Sequence, residues 1–253
     1  MILAVDVGNT VTAVGGFSDR IIFTERLSTD KSATEFEYTM KFRSICELYG
    51  YSPDDIEGAV ISSVVPRLTE VVRQAIQKLG VATVRTVGPG IKTGLSIRID
   101  DPAQLGSDLV TEAVAAIAEY SCPAVIIDSG TAISVSVIDK NKCYSGGVLM
   151  PGIQVSTEAL RKSASQLPQI SFVAPKQVIC TNTVECLRSG AMYGTASALD
   201  GLIRRISAEL GQTPSVVITG FAAETIARLS EHDMIPDHDL LMKGLMIIYE
   251  KNK

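Results

Sequence analysis

The stretch L-A-V-D-V-G-N-T-V-T-A-V, residues 3–14, decides the fold that we expect for this chain. An apolar run ends in the carboxylate of Asp6, a polar corner follows at Gly8, Asn9 and Thr10, and a second β-branched run returns from it. A buried strand that ends in an acid and a glycine turn can direct a metal-binding oxygen and free backbone N–H groups toward a phosphate. The alternative is an ordinary β-hairpin with an aspartate in its turn. Asp6 is therefore a candidate site residue.

A second stretch, A-V-I-I-D-S-G-T-A-I-S-V-S-V-I-D at residues 124–139, repeats this pattern, with Asp128 in the place of Asp6 and Gly130 in the place of Gly8. Two similar strand-turn-strand units predict a duplicated domain whose acidic turns face each other across a cleft. Paired carboxylates in this arrangement can share a hydrated Mg²⁺, which prefers one or two carboxylates together with phosphate oxygens. The sequence thus predicts a nucleotide held between two halves.

The composition predicts a compact protein without a nucleic-acid or membrane partner. Of its 253 residues 46% are hydrophobic, the net charge is −5, and no run is rich in Lys or Arg. A negative charge argues against general binding to nucleic acid or to a membrane surface. No apolar run approaches the roughly 20 residues that cross a bilayer, and an acid at residue 6 does not fit a signal peptide. We therefore expect a cytoplasmic protein.

The five cysteines are scattered and lack C-x-x-C spacing, so the sequence predicts neither a zinc site nor a disulfide scaffold. We expect them to be small buried hydrophobic residues. The two histidines lie in H-D-M-I-P-D-H-D at residues 232–239. A structural zinc ion takes about four well-spaced ligands, so we expect this segment to be a solvated loop before a helix.

The first half has the pattern of strands followed by alternating helices and strands. Strands are predicted at residues 1–6, 10–17, 20–27, 58–65 and 82–87, and helices at 33–49 and 66–79. Ser32 or Thr34 would cap the first helix. Its apolar positions at helical spacing are Phe36, Met40, Ile45 and Leu48. A β-β-β-α-β-α-β order is typical of an actin-like, or ribonuclease H-like, half.

The second half repeats this order. Strands at residues 124–129, 132–138 and 143–149 precede a helix that ends near 163, a helical pattern at 182–210, a strand and turn at 216–224, and a last helix at 239–249. We predict an α/β fold of two actin-like halves, residues 1–115 and 116–253, with a nucleotide cleft between them and the last helix in the second half.

Residues 88–112 are the least regular part of the chain and contain a third candidate acid, Asp108. Residues 88–94, G-P-G-I-K-T-G, contain the closely spaced glycine and proline residues that are typical of a loop. An Ala-rich helical pattern follows Ser107. Ser107 or Asp108 could cap that helix. In the functional alternative, Asp108 lies at the edge of the cleft and accepts a proton from a substrate hydroxyl. The pattern leaves both possibilities open.

Five motifs occur along the chain: D-V-G-N-T at 6–10, I-S-S-V-V-P at 61–66, V-G-P-G-I-K-T-G-L at 87–95, G-G-V-L-M-P-G-I at 146–153 and N-T-V-E at 182–185. In order and spacing they resemble the type III pantothenate kinases, also called Bvg accessory factor homologues. The resemblance implies ATP-dependent phosphorylation of pantothenate to 4′-phosphopantothenate, the first step of coenzyme A synthesis. It also implies a homodimer whose substrate pocket borders the subunit interface, and a monovalent cation, K⁺ or NH₄⁺, beside ATP and Mg²⁺.

The same resemblance implies roles for individual residues. The general base falls on Asp108, the K⁺-binding acid on Asp128, the ATP-contacting threonine on Thr131 and a pantothenate-contacting threonine on Thr183, which by default would cap a helix. Asp6 would bind Mg²⁺ together with Asp128. The nucleotide-binding loop falls on Asp6, Val7, Gly8, Asn9, Thr10, Val11, Thr12 and Ala13, and the substrate motif on Gly106, Ser107, Asp108 and Leu109.

The chain departs from the family pattern on the substrate side. Leu109 stands where G-A-D-R has its arginine, Ile99 replaces a tyrosine, Asp101 and Glu112 replace asparagines, and D-S-G-T-A-I-S at 128–134 replaces D-F-G-T-A-T-T. A charge-assisted hydrogen bond contributes roughly 1.5–3 kcal/mol, so loss of the arginine would weaken binding of the pantothenate carboxylate. Glu112 would repel it further, whereas Arg98 or Lys92 could compensate.

Two alternatives to a pantothenate kinase follow from these departures. One is a catalytically impaired homologue that acts as a binding or regulatory protein. The other is a kinase of the same fold that phosphorylates another small alcohol.

Overall fold

A computed structural model describes residues 1–164 and 166–253. Contacts within the chain group it into two compact units. The first unit contains Met1–Leu95, Asp100–Ala118 and Asp239–Lys253, and the second contains Ser96–Ile99 and Glu119–His238.

The first unit is built on a five-stranded mixed sheet. Its strands are β1 (Ile2–Val7), β2 (Val11–Phe17), β3 (Ile21–Ser28), β4 (Gly58–Ser63) and β5 (Val84–Thr86), in the order β3-β2-β1-β4-β5. The first three form an antiparallel meander, and β4 runs parallel to β1 and β5 parallel to β4. The predicted strands of the first half are therefore confirmed, with shifts of a few residues at their ends.

Helices cover both faces of this sheet: α1 (Glu35–Leu48), α2 (Pro66–Lys78), α3 (Ser107–Glu119) and α7 (Leu240–Glu250). Because side chains alternate along a strand, Leu3, Val5 and Val7 pack in one core with residues of α1 and α2. Ile2 and Ala4 pack in the opposite core, which contains α7 residues and Val114 of α3. The acid at position 6 shares the face of Ile2 and Ala4.

Of the apolar positions that predict α1, Ile45 is buried and the other three are exposed. Thr34 caps the helix in a capping box with Glu37, as one alternative had it. However, Phe36, Met40 and Leu48 are 61%, 43% and 74% exposed. The residues that α1 buries are Tyr38, Thr39, Phe42, Ile45 and Cys46. The rings of Tyr38 and Phe42, one turn apart, lie 5.7 Å from each other, and burying two aromatic side chains removes more apolar surface from water.

The second unit contains a six-stranded sheet: β6 (Ser96–Ile97), β7 (Ala124–Ser129), β8 (Ala132–Ile138), β9 (Cys143–Pro151), β10 (Ser215–Gly220) and β11 (Met234–Pro236). Their order is β11-β10-β7-β8-β9-β6. Three helices belong to this unit: α4 (Ile153–Ser163), α5 (Thr183–Leu210) and α6 (Ala223–Leu229). Its core lies among β7, β8, β10 and the side chains of α5 and α6.

The predicted duplication is confirmed by the two sheets. The order β3-β2-β1-β4-β5 of the first unit recurs as β9-β8-β7-β10-β11 in the second. The extra strand β6 comes from the region with least regular sequence and pairs in parallel with β9. A strand of two residues has too short a pattern to be recognised in sequence.

The C-terminal helix belongs to the first unit. Met242, Leu245 and Ile248 of α7 pack in one core with Ile2 and Ala4 of β1. Contacts thus group the chain differently from the predicted halves 1–115 and 116–253, because residues 239–253 join the first unit and residues 96–99 the second.

Cys46 and Cys143 are buried, but Cys122 and Cys180 are half-buried and Cys186 is exposed, so the expectation of five buried cysteines is wrong.

Within residues 1–164 and 166–253, no helix has both the length and the apolar character needed to cross a membrane.

Contact between α7 and α3 requires a glycine. A Cβ added to Gly244 would overlap the carbonyl group of Thr111 and lie 2.7 Å from its Cγ2. We expect Gly244→Ala to lower the free energy of unfolding by about 1–3 kcal/mol, since the two backbones must separate. Gly201 of α5 has no atom within 4 Å of such a Cβ. As a matched control, Gly201→Ala should raise the free energy of unfolding by up to about 1 kcal/mol, because alanine favours the helix more than glycine does. Denaturant titration would measure both, and equal effects would contradict the close approach.

Candidate active site

Asp6 lies at the carboxyl end of β1, in the middle of the first sheet. It pairs with Ala13 on β2 and with Ser62 on β4. Residues in register on neighbouring strands place their side chains on the same face, so the carboxylate of Asp6 lies beside Ser62. Asp6 is 9% exposed and Ser62 is fully buried. The strand therefore presents a carboxylate at its end, as the sequence predicts.

A tight turn follows Asp6 and connects β1 to β2. The amide of Gly8 donates to the carbonyl of Val11 at 3.0 Å, and a Cβ on Gly8 would lie 2.8 Å from that same oxygen. Asn9 and Thr10 are exposed at the tip. Of the other residues in the predicted nucleotide-binding loop, Val7 and Thr12 are buried, and Val11 and Ala13 are half-buried. The backbone of this turn is thus the part of the loop that a ligand can reach.

Ser107 fixes the beginning of α3 against the end of β4. Its Oγ accepts a hydrogen bond from the amide of Ser63 at 2.9 Å, donates to the Ser63 carbonyl at 3.1 Å, and lies 3.0 Å from the Oγ of Ser62. Ser62 is in turn the register partner of Asp6. The start of α3 and the carboxyl end of β1 are therefore held in one network within the first unit. Ser62 and Ser63 were not predicted as site residues, although consecutive serines at the end of a buried strand are a visible signal.

Asp108 is the second residue of α3, and its carboxylate is held close to the backbone. Its Oδ1 accepts from the amide of Leu109 at 2.8 Å. Burial raises the pKa of Asp108, and hydrogen bonds from the backbone amides of Leu109 and of Asp108 itself oppose that rise. Ser107 and Asp108 are the first two residues of α3, and the Asp108 carboxylate binds an amide of the first helical turn. A carboxyl with a raised pKa is suited to general base catalysis.

Glycine at position 106 leaves room for this carboxylate. A Cβ at Gly106 would collide with Oδ1 of Asp108, and it would also lie 3.6 Å from Cγ1 of Val64. In the predicted substrate motif 106–109, Gly106 leaves space for the Asp108 carboxylate and Ser107 anchors the helix start to β4. Leu109 is half-buried.

Asp128 occupies the same place in the second sheet as Asp6 does in the first. It pairs with Ser134 on β8 and with Thr219 on β10, near the end of β7. The amide of Gly130 donates to the carbonyl of Ala132 at 3.0 Å and closes the turn. The sequence correctly predicts this repeat.

Two glycines lie against the Asp128 turn, where a side chain would collide with its oxygen atoms. Gly220 has φ +86°, and a Cβ there would lie 2.5 Å from Oδ1 of Asp128 and 2.6 Å from the carbonyl oxygen of Ser129. A Cβ at Gly152 would overlap the carbonyl oxygen of Gly130 and lie 2.5 Å from that of Thr131. The local donors are a carboxylate and carbonyl oxygens, which are the ligands that hard cations prefer.

The donors near Asp6 suit a metal that is only partly coordinated by protein. Among residues 1–164 and 166–253, no group of three or more His, Cys, Asp or Glu side chains is placed to hold a metal ion. Mg²⁺ usually takes one or two carboxylates and completes its shell with water and phosphate oxygens. The Asp6 carboxylate at the end of β1 fits that pattern.

Thr183 and Thr131 both lie in the second unit and both are exposed. Thr183 is the first residue of α5, and the side chain of Asn182 caps this helix by accepting from the amide of Glu185 at 3.0 Å. The default expectation that Thr183 is the cap is therefore wrong, and its hydroxyl is not used for that purpose.

The substituted positions on the substrate side lie in different surroundings. Glu112 of α3 is 2% exposed, so its carboxylate does not face open solvent. Arg98, in the second unit, forms an ion pair with Asp139 at 3.6 Å and is 72% exposed. Lys92 lies in the first unit, where its backbone amide donates to the side chain of Asn252 at 3.0 Å.

The raised pKa of Asp108 has a consequence for stability. An aspartate in an unfolded chain has a pKa near 3.9. Because the pKa of Asp108 is higher in the folded protein, the charged carboxylate destabilises the fold. This destabilisation is fully present above the folded pKa and disappears below the unfolded one. We therefore expect Asp108→Asn to melt at a higher temperature than the wild type at pH 7, with the difference vanishing below about pH 4. Asp54→Asn, at an exposed position, should show no such difference. A lower melting temperature for Asp108→Asn at pH 7 would contradict the burial argument.

Comparisons with known proteins agree with this architecture. A Baf family protein from Campylobacter jejuni superimposes with a TM-score of 0.61 at 19% identity, over 99% of this chain and 98% of that one. The activator of 2-hydroxyisocaproyl-CoA dehydratase from Clostridium difficile, with bound ADPNP, superimposes with a TM-score of 0.59 at 14% identity, over 99% and 94%. These similarities confirm the predicted actin-like α/β fold.

Sequence comparisons identify the family. A type III pantothenate kinase from Halalkalibacterium halodurans is 44% identical over 253 residues, which is the full length of both chains. Residues 2–205 match the sequence model of the family described as type III pantothenate kinase. With both the full-length similarity and the family match, this chain belongs to the type III pantothenate kinases.

Proposed function

We propose that this protein transfers the terminal phosphate of ATP to the hydroxyl of pantothenate and so forms 4′-phosphopantothenate, the first product on the way to coenzyme A. One observation carries the proposal: Asp108, a half-buried acid with a raised pKa, is anchored through Ser107 to the strand beside Asp6. The full-length relative named type III pantothenate kinase supports the choice of substrate.

Asp108 acts as the general base. Its carboxylate accepts the proton of the pantothenate hydroxyl while the oxygen attacks the terminal phosphorus in line with the leaving oxygen. Burial raises the pKa of the Asp108 carboxyl and so makes the carboxylate a stronger base toward this proton. The bond from the Leu109 amide at 2.8 Å fixes Oδ1 of this carboxylate relative to the helix start.

The Asp6 turn binds the phosphates. The turn presents Asn9 and Thr10 at an exposed tip, and backbone amides in such turns bind anionic oxygens. The carboxylate of Asp6 would hold Mg²⁺, which neutralises charge on the phosphates when bound. Thr131, exposed in the matching turn of the second unit, donates its hydroxyl to ATP. The bound ADPNP in the Clostridium difficile activator, which shares this fold, supports nucleotide binding.

The second-unit turn around Asp128 binds a monovalent cation, K⁺ or NH₄⁺. Its oxygens come from the Asp128 carboxylate and from carbonyl groups that Gly220 and Gly152 allow to approach closely. Large monovalent cations favour several backbone carbonyl oxygens over a single strong ligand. The surroundings of Asp128 supply that kind of donor set.

Pantothenate is held by the residues that start two helices. Gly106, Ser107 and Leu109 surround Asp108 at the start of α3, and Thr183 presents a hydroxyl that capping does not use. Leu109 contributes apolar contact in place of a charged one. If this altered contact changes the acceptor, the protein is a kinase of another small alcohol, and if it abolishes transfer, the protein is a binding or regulatory homologue.

We also infer that the protein is a cytoplasmic homodimer. Leu149 of β9 and Val155 and Leu160 of α4 are 73%, 46% and 49% exposed, and a second copy would cover such apolar side chains. Five free cysteines suit a reducing compartment.

An ATP-turnover assay with Mg²⁺ and K⁺, with and without pantothenate, tests the proposal. We expect pantothenate-dependent turnover that falls by about 100-fold or more in Asp108→Asn, the usual size of a lost general base. Asp54→Asn should retain wild-type activity, and wild-type activity should fall as the pH drops through the pKa of Asp108. Retained turnover in Asp108→Asn would remove it as the base. Absence of stimulation by pantothenate would favour another alcohol or a regulatory role, and a panel of small alcohols would separate these two.

Replacement of K⁺ by Na⁺ tests the cation site. We expect lower activity in Na⁺, and we expect Asp128→Asn to need about tenfold more K⁺ for half-maximal activity, because one charged ligand is lost. Asp233→Asn, on the surface of the same unit, is the control. An unchanged K⁺ requirement in Asp128→Asn would rule out Asp128 as a ligand.

A further inference from the structure

A lysine touches the tip of the phosphate-binding turn. Nζ of Lys31 donates a hydrogen bond to Oδ1 of Asn9 at 3.1 Å, and both residues are exposed. Lys31 lies in the segment that leaves β3 and leads into α1, outside the motifs that the sequence analysis singled out. Its charge therefore lies next to the residues proposed to bind ATP phosphates.

The segment that carries Lys31 is fastened to the turn by Thr29. The amide of Thr29 donates to the carbonyl of Thr10 at 2.9 Å, and its Oγ1 donates to the carbonyl of Gly8 at 2.8 Å. Its Oγ1 also lies 2.9 Å from Oγ1 of Thr12, the buried threonine of the loop. Thr29 thus occupies both backbone carbonyls that flank the exposed tip, and the backbone just before Lys31 cannot move independently of the turn.

The residues after Lys31 are fixed as well. Oδ1 of Asp30 accepts from the amide of Ser32 at 2.9 Å and from its Oγ at 2.6 Å. The hydroxyl of Tyr38 on α1 donates to the carbonyl of Asp30 at 3.3 Å. The backbone on both sides of Lys31 is therefore fixed by hydrogen bonds, and only the Lys31 side chain has to become ordered when it binds a ligand.

Electrostatics determines which ligand this arrangement suits. The first unit already places two carboxylates, Asp6 and Asp108, at this end of its sheet. A triphosphate approaching them is repelled unless positive charge is present. The ammonium group of Lys31 is a compact charge on a flexible stem, which suits phosphate oxygens. Its present acceptor, the neutral amide oxygen of Asn9, forms a weaker bond than a charged phosphate oxygen does.

We propose that Lys31 is a phosphate-binding residue of the nucleotide site and that Thr29 is its positioning residue. On binding ATP, Nζ exchanges the amide oxygen of Asn9 for a phosphate oxygen. This inference rests on the proposed role of the turn at residues 8–10 in binding phosphate.

Nucleotide titration calorimetry with Mg²⁺ on the full chain tests the inference. Lys31→Met removes the charge and the donor, whereas Lys31→Gln removes the charge but keeps a donor for Asn9. We expect both variants to bind ATP about 10- to 100-fold more weakly than the wild type, the size of a lost charge-assisted hydrogen bond. ADP should be weakened too, and adenosine should bind unchanged because it has no phosphate. Lys31→Arg should stay close to the wild type.

Lys41 offers a matched control. It is a half-buried lysine of α1 whose Nζ lies 5.0 Å from the centre of the Tyr38 ring. Lys41→Met changes the net charge of the protein by the same amount, and we expect wild-type affinity for ATP. A general charge effect would instead weaken ATP binding equally in the Lys31 and Lys41 variants, and would overturn the proposal.

Two other results would also overturn it. Unchanged ATP affinity in Lys31→Met and Lys31→Gln would show that Lys31 does not meet the phosphates. Equal weakening of ATP and adenosine would show that Lys31 only supports the turn. The proposed function fails separately, since a wild-type protein that binds ATP without phosphorylating an alcohol leaves the Lys31 test intact.

Discussion

The hydroxyl of Ser107 is the contact on which the candidate catalytic centre depends. It bonds to the amide and carbonyl of Ser63 and lies beside Ser62, the register partner of Asp6. Helix α3 and strand β1 are far apart in sequence and have no direct hydrogen-bond ladder between them. One small polar side chain therefore fixes the start of α3, which carries the proposed base Asp108, against the sheet. Placement within a fraction of an ångström is what phosphoryl transfer demands.

Patterns that repeat with a short period could be predicted from sequence. Strands alternate with period two, and the acid and glycine that end them recur at Asp6 and Asp128, so both turns were found from the residues alone. The inner face of α1 was not, because Phe36, Met40 and Leu48 form a regular apolar set that the fold leaves exposed. Choosing between that set and the set containing Tyr38 and Phe42 requires knowledge of what α1 packs on.

Contacts between distant segments were also beyond the sequence. Neither the bonds of Ser107 to β4 nor the bond of Lys31 to Asn9 follows from any local pattern, since each depends on how separate elements meet. Thr183 is an intermediate case. A polar residue at a helix start is correctly expected there, but Asn182 takes the capping role one position earlier. The expected contact of Thr183 with pantothenate comes only from the family resemblance, because helix-capping preferences say nothing about a substrate.

The position of α7 constrains how the protein can be made. This helix covers one face of the first sheet, yet all of residues 119–238 separate it from the other elements of that unit. During synthesis, Ile2, Ala4 and Val60 lack their α7 packing partners until the second unit has been translated. The first unit therefore cannot complete its core until the second unit has been translated, even though its strands come from the N-terminal part of the chain.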